Sequence, residues 1–169
     1  FDNANALNPT YTPSAADTVS GSVDLTLTAT GNGNCSSDAE STMTLTITSE
    51  PVISAGSDAA ICSTTTSYTL SGESTNASSV LWTTSGSGAF TGGTTLTAEY
   101  TPSAGDIADG QVVLTLTGQG NGTCGESSDY MVLTIWQAPS ASAGPDTAIC
   151  AGDQFVITSA TAGDYNTIA

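Results

Sequence analysis

Few residue types in this sequence are equipped for chemistry. A Ser or Thr nucleophile needs a base to accept its proton, and the 169-residue chain contains no His. Stabilising an oxyanion or a phosphate calls for a cation, and Lys and Arg are absent too. Carboxylates remain, 16 of them. Two that face each other across a cleft hydrolyse glycosides, but no Asp or Glu pair recurs in a setting that suggests a cleft. Asp106 and Asp109, in "PSAGDIADG", are candidates for calcium, yet they lack the dense carboxylate spacing of calcium loops. Asp106 reads more simply as a cap on the backbone N–H groups of its loop. No catalysis and no cofactor are therefore expected.

The remaining reactive groups are four thiols: Cys35, Cys62, Cys124 and Cys150. In an acidic, Thr-rich chain without His they read as disulfide cysteines of an oxidising compartment. Zinc sites cluster their ligands more closely. Tyr130 and Trp136 are the aromatics suited to stacking on a sugar, since alternation turns Trp136 away from the core, whereas Trp82 and Tyr100 fall on inward positions.

Charge narrows the class of partner. A net charge of −16 with no basic residue removes nucleic-acid binding by phosphate neutralisation and attraction to anionic lipid. No apolar run approaches the length of a membrane span, so no membrane insertion is expected. Lacking Lys and Arg, the chain also offers trypsin-like proteases no cleavage site, which suits exposure to a hostile medium. A Ser- and Thr-rich composition fits either a β-rich domain or a disordered stalk. Alternating runs such as "VDLTLTAT" and "VVLTLTG" favour the domain, because disordered segments lack ordered apolar spacing.

A repeat positions these residues. Sliding the sequence by about 88 residues sets "YTPSAAD" (Tyr11 to Asp17) on "YTPSAGD" (Tyr100 to Asp106). Cys35 then meets Cys124, and Met43, Leu45 and Ile47 meet Met131, Leu133 and Ile135. "SAGSDAAIC" (Ser54 to Cys62) meets "SAGPDTAIC" (Ser142 to Cys150), and Phe1 meets Phe90. A period of this size is a domain rather than a solenoid turn.

The expected organisation is all-β, a head-to-tail array of tandem sandwich domains. Residues 1–50 form the C-terminal part of one repeat, 51–136 a complete one, and 137–169 the N-terminal part of a third. In the complete copy Tyr68, Leu70, Val80, Trp82, Leu96, Ala98, Tyr100, Val112, Leu114, Leu116, Met131, Leu133 and Ile135 alternate inward. Asn121-Gly122 marks a hairpin turn. Two arrangements fit the partial copies: a window on a longer tandem array, which is favoured, or strand exchange between neighbouring copies of the chain. The simplest disulfide is Cys62–Cys124 within one domain. An early loop and a late hairpin lie at opposite ends of a sandwich, however, so a bond from the early cysteine of one domain to the late cysteine of the next is the alternative.

In this order, "SAGxDxAIC", "YTL", "TTSGSGAF", "YTPSAGD", "VVLTLT", "GNGTC" and "SDYMVLTI" resemble the PKD-like, immunoglobulin-like repeats of very large Bacteroidota surface proteins. Those proteins include gliding-motility adhesins exported by the type IX secretion system. The resemblance covers essentially the whole chain and implies export, display at the cell surface or in a filament, and adhesive or structural use. It also implies O-glycan acceptors at Asp-Ser/Thr followed by a small or aliphatic residue, which Thr18 in "DTV" and Thr147 in "DTA" fit. The function expected is a non-catalytic stalk or fibre segment of an extracellular adhesin, whose partners are neighbouring copies. A glycan-binding module or a strand-exchanged fibre subunit is the alternative.

Overall fold

The structure, a computed structural model, describes residues 1–34, 36–165 and 167. The Cys35 candidate therefore lies outside the described residues. Strands make up 41% of the chain and helices 7%, so the protein is mostly β. In chain order the elements are α1 (Ala15–Ser20), β1 (Ser22–Ala29), β2 (Ala39–Thr46), β3 (Val52–Ser54), β4 (Ala59–Cys62), β5 (Tyr68–Thr69) and β6 (Glu73–Thr75). They continue with β7 (Ala77–Thr84), β8 (Ala89–Thr91), β9 (Glu99–Thr101), α2 (Ala104–Asp109), β10 (Gln111–Gly120), β11 (Ser127–Trp136), β12 (Ser140–Ser142) and β13 (Thr161–Gly163).

The chain divides into two compact units. One comprises Phe1–Val52, Ser74–Ser79 and Gly118–Ser127, and the other comprises Ile53–Glu73, Val80–Thr117 and Ser128–Ala169. The division falls inside the 51–136 span rather than at its border. Hydrogen bonds explain which residues join the first unit. Asn121 Nδ2 donates to Asn76 O at 2.9 Å, Asn76 Nδ2 to Glu50 O at 3.3 Å, and Cys124 Sγ to Thr48 O at 3.2 Å.

The second unit holds the core. One sheet has the order β4-β11-β10-β7 and another the order β5-β9-β8, with a separate β3-β6 pair. β10 and β11 alternate buried and less buried positions, as period-2 side-chain geometry requires of a sheet with one covered face. Val112, Leu114 and Leu116 from β10 and Met131, Leu133 and Ile135 from β11 are 0–2% exposed. Leu70, Trp82, Ala98 and Tyr100 are buried against the same cluster, with Tyr68, Val80, Phe90 and Leu96 packed around it. β4 pairs with β11 in parallel, Leu133 opposite Ala59 and Trp136 opposite Cys62.

The segment read from sequence as a loop, Pro102 to Gly110, contains the helix α2. Ser103 at its N-cap accepts from the Asp106 N–H, the Asp106 carboxylate accepts in return from the Ser103 N–H, and Gly110 ends the helix at φ 75°. This reciprocal cap satisfies donors that a helix start otherwise leaves unpaired. Six residues are too few to display an apolar period, so pattern reading misses the helix.

The first unit repeats this local structure. Ser14 caps α1 through the same box with Asp17, and Gly21 ends it at φ 74°. Ile47 N–H donates to Gly21 O at 2.9 Å, as Ile135 N–H does to Gly110 O at 2.8 Å. β1 and β2 pair antiparallel from Ser22↔Thr46 to Ala29↔Ala39. Yet Leu27 is 53% exposed and Met43 is 59% exposed, where their counterparts Leu116 and Met131 are 0% and 2%.

The last stretch of the second unit copies the early strands. β12 pairs with β13 antiparallel, the positions equivalent to β3 and β6. Asn76 and Asp164, at equivalent places, both adopt a positive φ, 60° and 52°. Asp153 N–H closes a turn on Cys150 O as Thr65 N–H does on Cys62 O. At these positions the copies share local conformation and differ in burial. Leu116→Ala is expected to destabilise the second unit by about 3 kcal/mol, the transfer and cavity cost of a fully buried leucine. Leu27→Ala, at an open position, should cost under about 0.5 kcal/mol. Urea unfolding followed by the fluorescence of buried Trp82 measures the first; backbone circular dichroism of the first unit checks the second.

Candidate functional site

The most elaborate polar constellation is the corner built by β9, α2 and the turn after β7. Asp106 is 2% exposed in a chain that has no side-chain cation to pair with it. Hydrogen bonds take that role. Its Oδ2 accepts from the Tyr100 hydroxyl at 2.7 Å and from the Ser103 N–H at 2.8 Å; its Oδ1 accepts from the Ser87 N–H at 3.0 Å. Thr84 Oγ1 lies 3.1 Å from the Tyr100 oxygen, and the Phe90 ring packs 5.0 Å from the Tyr100 ring.

The motif "SGSG" before β8 follows from this corner. A Cβ on Gly86 would overlap Asp106 Oδ1, and one on Gly88 would overlap the Tyr100 hydroxyl. Only a residue without a side chain lets the turn approach so closely. Among the described residues no buried side-chain polar atom lacks a partner.

Electrostatics follow from the donors. Burial is the largest influence on Asp106 and pushes its carboxyl upward. The bonds from Ser103, Tyr100 and Ser87 together outweigh it and hold the group below the ordinary 3.8. Tyr100 is raised above 10.0, foremost by burial; Thr84 opposes this, and the Asp106 bond and charge add to it. In the first unit the half-buried Asp17 is also lowered, chiefly by the Tyr11 hydroxyl and then by Ser14. Tyr11 donates to Asp17 Oδ2 at 2.7 Å, and Phe1 packs 5.0 Å from Tyr11.

This chemistry is structural. The Asp106 oxygens already accept from N–H and O–H donors, which is a setting opposed to calcium, and Asp109 is exposed on the helix end. No group of three or more metal-ligating side chains occurs among the described residues. No helix among them is long and apolar enough to cross a membrane.

The other candidate residues are scattered. Tyr130 and Trp136 are 63% and 67% exposed and lie on one face of β11, six residues apart. Thr18 is exposed on α1, its hydroxyl donating to Ser14 O at 3.1 Å, and Thr147 is exposed between β12 and β13. Among the described residues Cys62, Cys124 and Cys150 form no disulfide with one another. The Thr64 hydroxyl donates to Cys62 Sγ at 3.3 Å and, with the Thr64 N–H, lowers that thiol below 9.0. Cys62 stands opposite Trp136 at the last residue of β11, whereas Cys124 sits in the turn before its first residue. The first unit also carries an open groove of about 570 Å³, floored by Leu25, Leu27 and Met43 and walled by Phe1, Leu7 and Tyr11.

No protein-family model matches the chain. A comparison with curated proteins likewise finds no match.

Asp106→Asn removes the charge and leaves too few acceptor positions for three donors; it is expected to cost about 2–3 kcal/mol. Gly86→Ala should cost about 1–3 kcal/mol by overlap with the same carboxylate. Because the folded pKa of Asp106 is depressed, its contribution is complete above 3.8 and is lost as pH falls through the lower folded value. Tyr100 has the opposite sign: its contribution is complete below 10.0 and is lost as pH rises through its raised folded value. Urea unfolding from acid to alkali checks both limbs, and the acid limb should flatten in Asp106→Asn.

Proposed function

We propose that the chain is a non-catalytic structural repeat of an extracellular surface adhesin or filament, a stalk or fibre segment. On this reading the unit is an immunoglobulin-like, PKD-like sandwich copied in series, with residues 51–136 complete and residues 1–50 and 137–169 belonging to neighbouring copies. The observation that carries it is the recurrence of one local architecture. The helix box at Ser103–Gly110 and the β10–β11 ribbon recur at Ser14–Gly21 and β1–β2, and the β3–β6 pairing recurs as β12–β13. Bacteroidota gliding-motility adhesins of the type IX secretion system are the proposed setting.

The mechanism is mechanical. β4 lies near the start of the complete copy, β11 ends it, and the two are parallel neighbours. A pull on the two ends of that copy draws them in opposite directions along their length. All rungs of the ladder are loaded together in shear, and none opens first as in a zipper. A chain without Lys or Arg gives a trypsin-like protease nothing to cut, which suits a stalk outside the cell.

A second reading, binding of surface glycans, has one observation behind it: exposed Tyr130 and Trp136 share a face of β11. Aromatic rings on one exposed face suit stacking on sugar rings.

Force spectroscopy on tandem copies of residues 51–136 tests the first reading. Equal unfolding events are expected, each releasing roughly 300 Å of contour, the extended length of that span. Ile61→Pro, which breaks the β4–β11 ladder, should lower the unfolding force. Events of irregular length would overturn the repeat. Glycan-array binding that disappears in Tyr130→Ala and Trp136→Ala would favour the second reading.

A further inference from the structure

The first unit presents an apolar sheet face that Phe1, Leu7 and Tyr11 rim without closing, and the second unit shows what covers that face when the same motif recurs. On β10 and β11, Leu114, Leu116 and Leu133 are 0% exposed because Ala55, Leu70 and Trp82 lie against them. The outer edge of β11 is occupied by β4, Ile61 facing Ile135 in parallel register. β1 and β2 have the same sequence pattern, the same ribbon and the same helix box, but they stand as a two-stranded sheet. Leu25 and Leu27, the counterparts of Leu114 and Leu116, and Met43, the counterpart of Met131, floor the open groove.

The complementary piece is also present in the chain. Residues 140–163 carry the counterparts of β3, of the Cys62–Thr65 turn and of β6, already in matching conformation. Thr147–Cys150, the counterpart of β4, forms no strand, and Ile149 within it is 52% exposed. Phe155, Val156 and Ile157, around the counterpart of β5, are 54%, 73% and 65% exposed. An open face and an open segment, each lacking what the other has, thus occur in one sequence.

We infer that the β1–β2 face is a docking site for residues 140–163 of a second copy of this chain, which extends the β4–β11 interface already built in the molecule to a contact between copies. Shifting the β4–β11 register by the repeat offset of 88 gives the pairing. Leu45 stands opposite Thr147, Thr46 opposite Ala148, Ile47 opposite Ile149, and Thr48 opposite Cys150, all parallel. The segment around Val156 then fills the groove, as that around Tyr68 and Leu70 covers β10 and β11. Thr147 takes the place of Ala59, which packs on the core, so a glycan there and the docking exclude each other. The face and the segment are different surfaces, so a copy docked through its segment leaves its own face open, and the contact is heterologous and propagates from copy to copy. The inference rests on the repeat reading proposed above and adds the contact by which copies join.

Sedimentation equilibrium of the full chain, with a reductant present to keep the thiols reduced, tests it. The weight-average mass is expected to climb from 16.7 kDa to multiples of it as concentration rises. Ile47→Asp places a charge on the face, and Ile149→Pro removes a ladder N–H from the segment. Each variant alone should remain at one chain mass. Mixed in equal amounts, the two should give a two-chain species and nothing larger, because one retains an intact segment and the other an intact face. A single-chain mass for the unsubstituted protein at all concentrations would overturn the inference. So would association that survives either substitution, or variants that fail to complement. None of these outcomes touches the force measurement on residues 51–136, so this contact and the repeat fail separately.

Discussion

A ribbon of two β-strands with one apolar face is not a structure until something covers that face. This requirement organises the whole molecule. β10 and β11 bury Leu114, Leu116, Met131, Leu133 and Ile135 because the opposing layer brings Leu70, Ala98 and Tyr100 against them. β1 and β2 carry the corresponding residues, form the corresponding ladder and leave Leu27 and Met43 mostly in water. A two-stranded sheet alone is marginal in water, whereas the same ribbon inside a two-layered core is the most protected part of the protein. Strand conformation is thus written locally, and stability is supplied from elsewhere in sequence.

The Tyr–Asp corner behaves the other way. Ser103, Asp106 and Gly110 bond within a span of eight residues, and Tyr100 adds its hydroxyl from just upstream. Nothing distant is needed to make the bonds, and the first unit makes them again with Tyr11, Ser14, Asp17 and Gly21. Covering the corner changes their consequences, since a carboxylate in water can exchange any one of these donors for solvent. Under the core's second layer it cannot, because Gly86 presses against the carboxylate and Gly88 against the Tyr100 hydroxyl that serves it. A motif neutral on an open ribbon becomes an obligation in the closed one.

Sequence pattern was informative wherever the period was long enough to see. Alternation along "VVLTLT" and "YMVLTI" marks Leu114, Leu116, Leu133 and Ile135 as inward, and these positions lie at the bottom of the exposure scale. The helix α2 was not legible, because six residues with Ala, Gly and Asp carry no apolar stripe. Its signal was the Ser103–Asp106 spacing, a capping box with Asp in place of the usual Glu or Gln. Composition gave no sign that β4 pairs in parallel with β11, since pairing of chain-distant strands depends on three-dimensional closure. The hydrogen bonds of Asn76, Asn121 and Cys124 that carry their segments into the first unit were likewise invisible, each joining residues 26 to 76 positions apart.

A chain with 16 carboxylates and no cationic side chain must solve burial without ion pairs between side chains. Two strategies are visible. Most acidic groups stay at the surface, where water solvates them and mutual repulsion is weak at physiological ionic strength. The one that is buried, Asp106, sits where backbone N–H groups and a phenol already point inward, so the fold's own dipoles replace the missing counter-ion. Hydroxyl-rich strands extend the same logic: Thr26 with Thr42 and Thr44 with Asp24 bridge β1 and β2 by hydrogen bonds that need no charge of opposite sign. A surface built this way has no cationic groups through which to attract an anionic partner. For the contact between copies proposed above, that leaves backbone ladders and apolar faces, the two interactions that the β1–β2 ribbon presents.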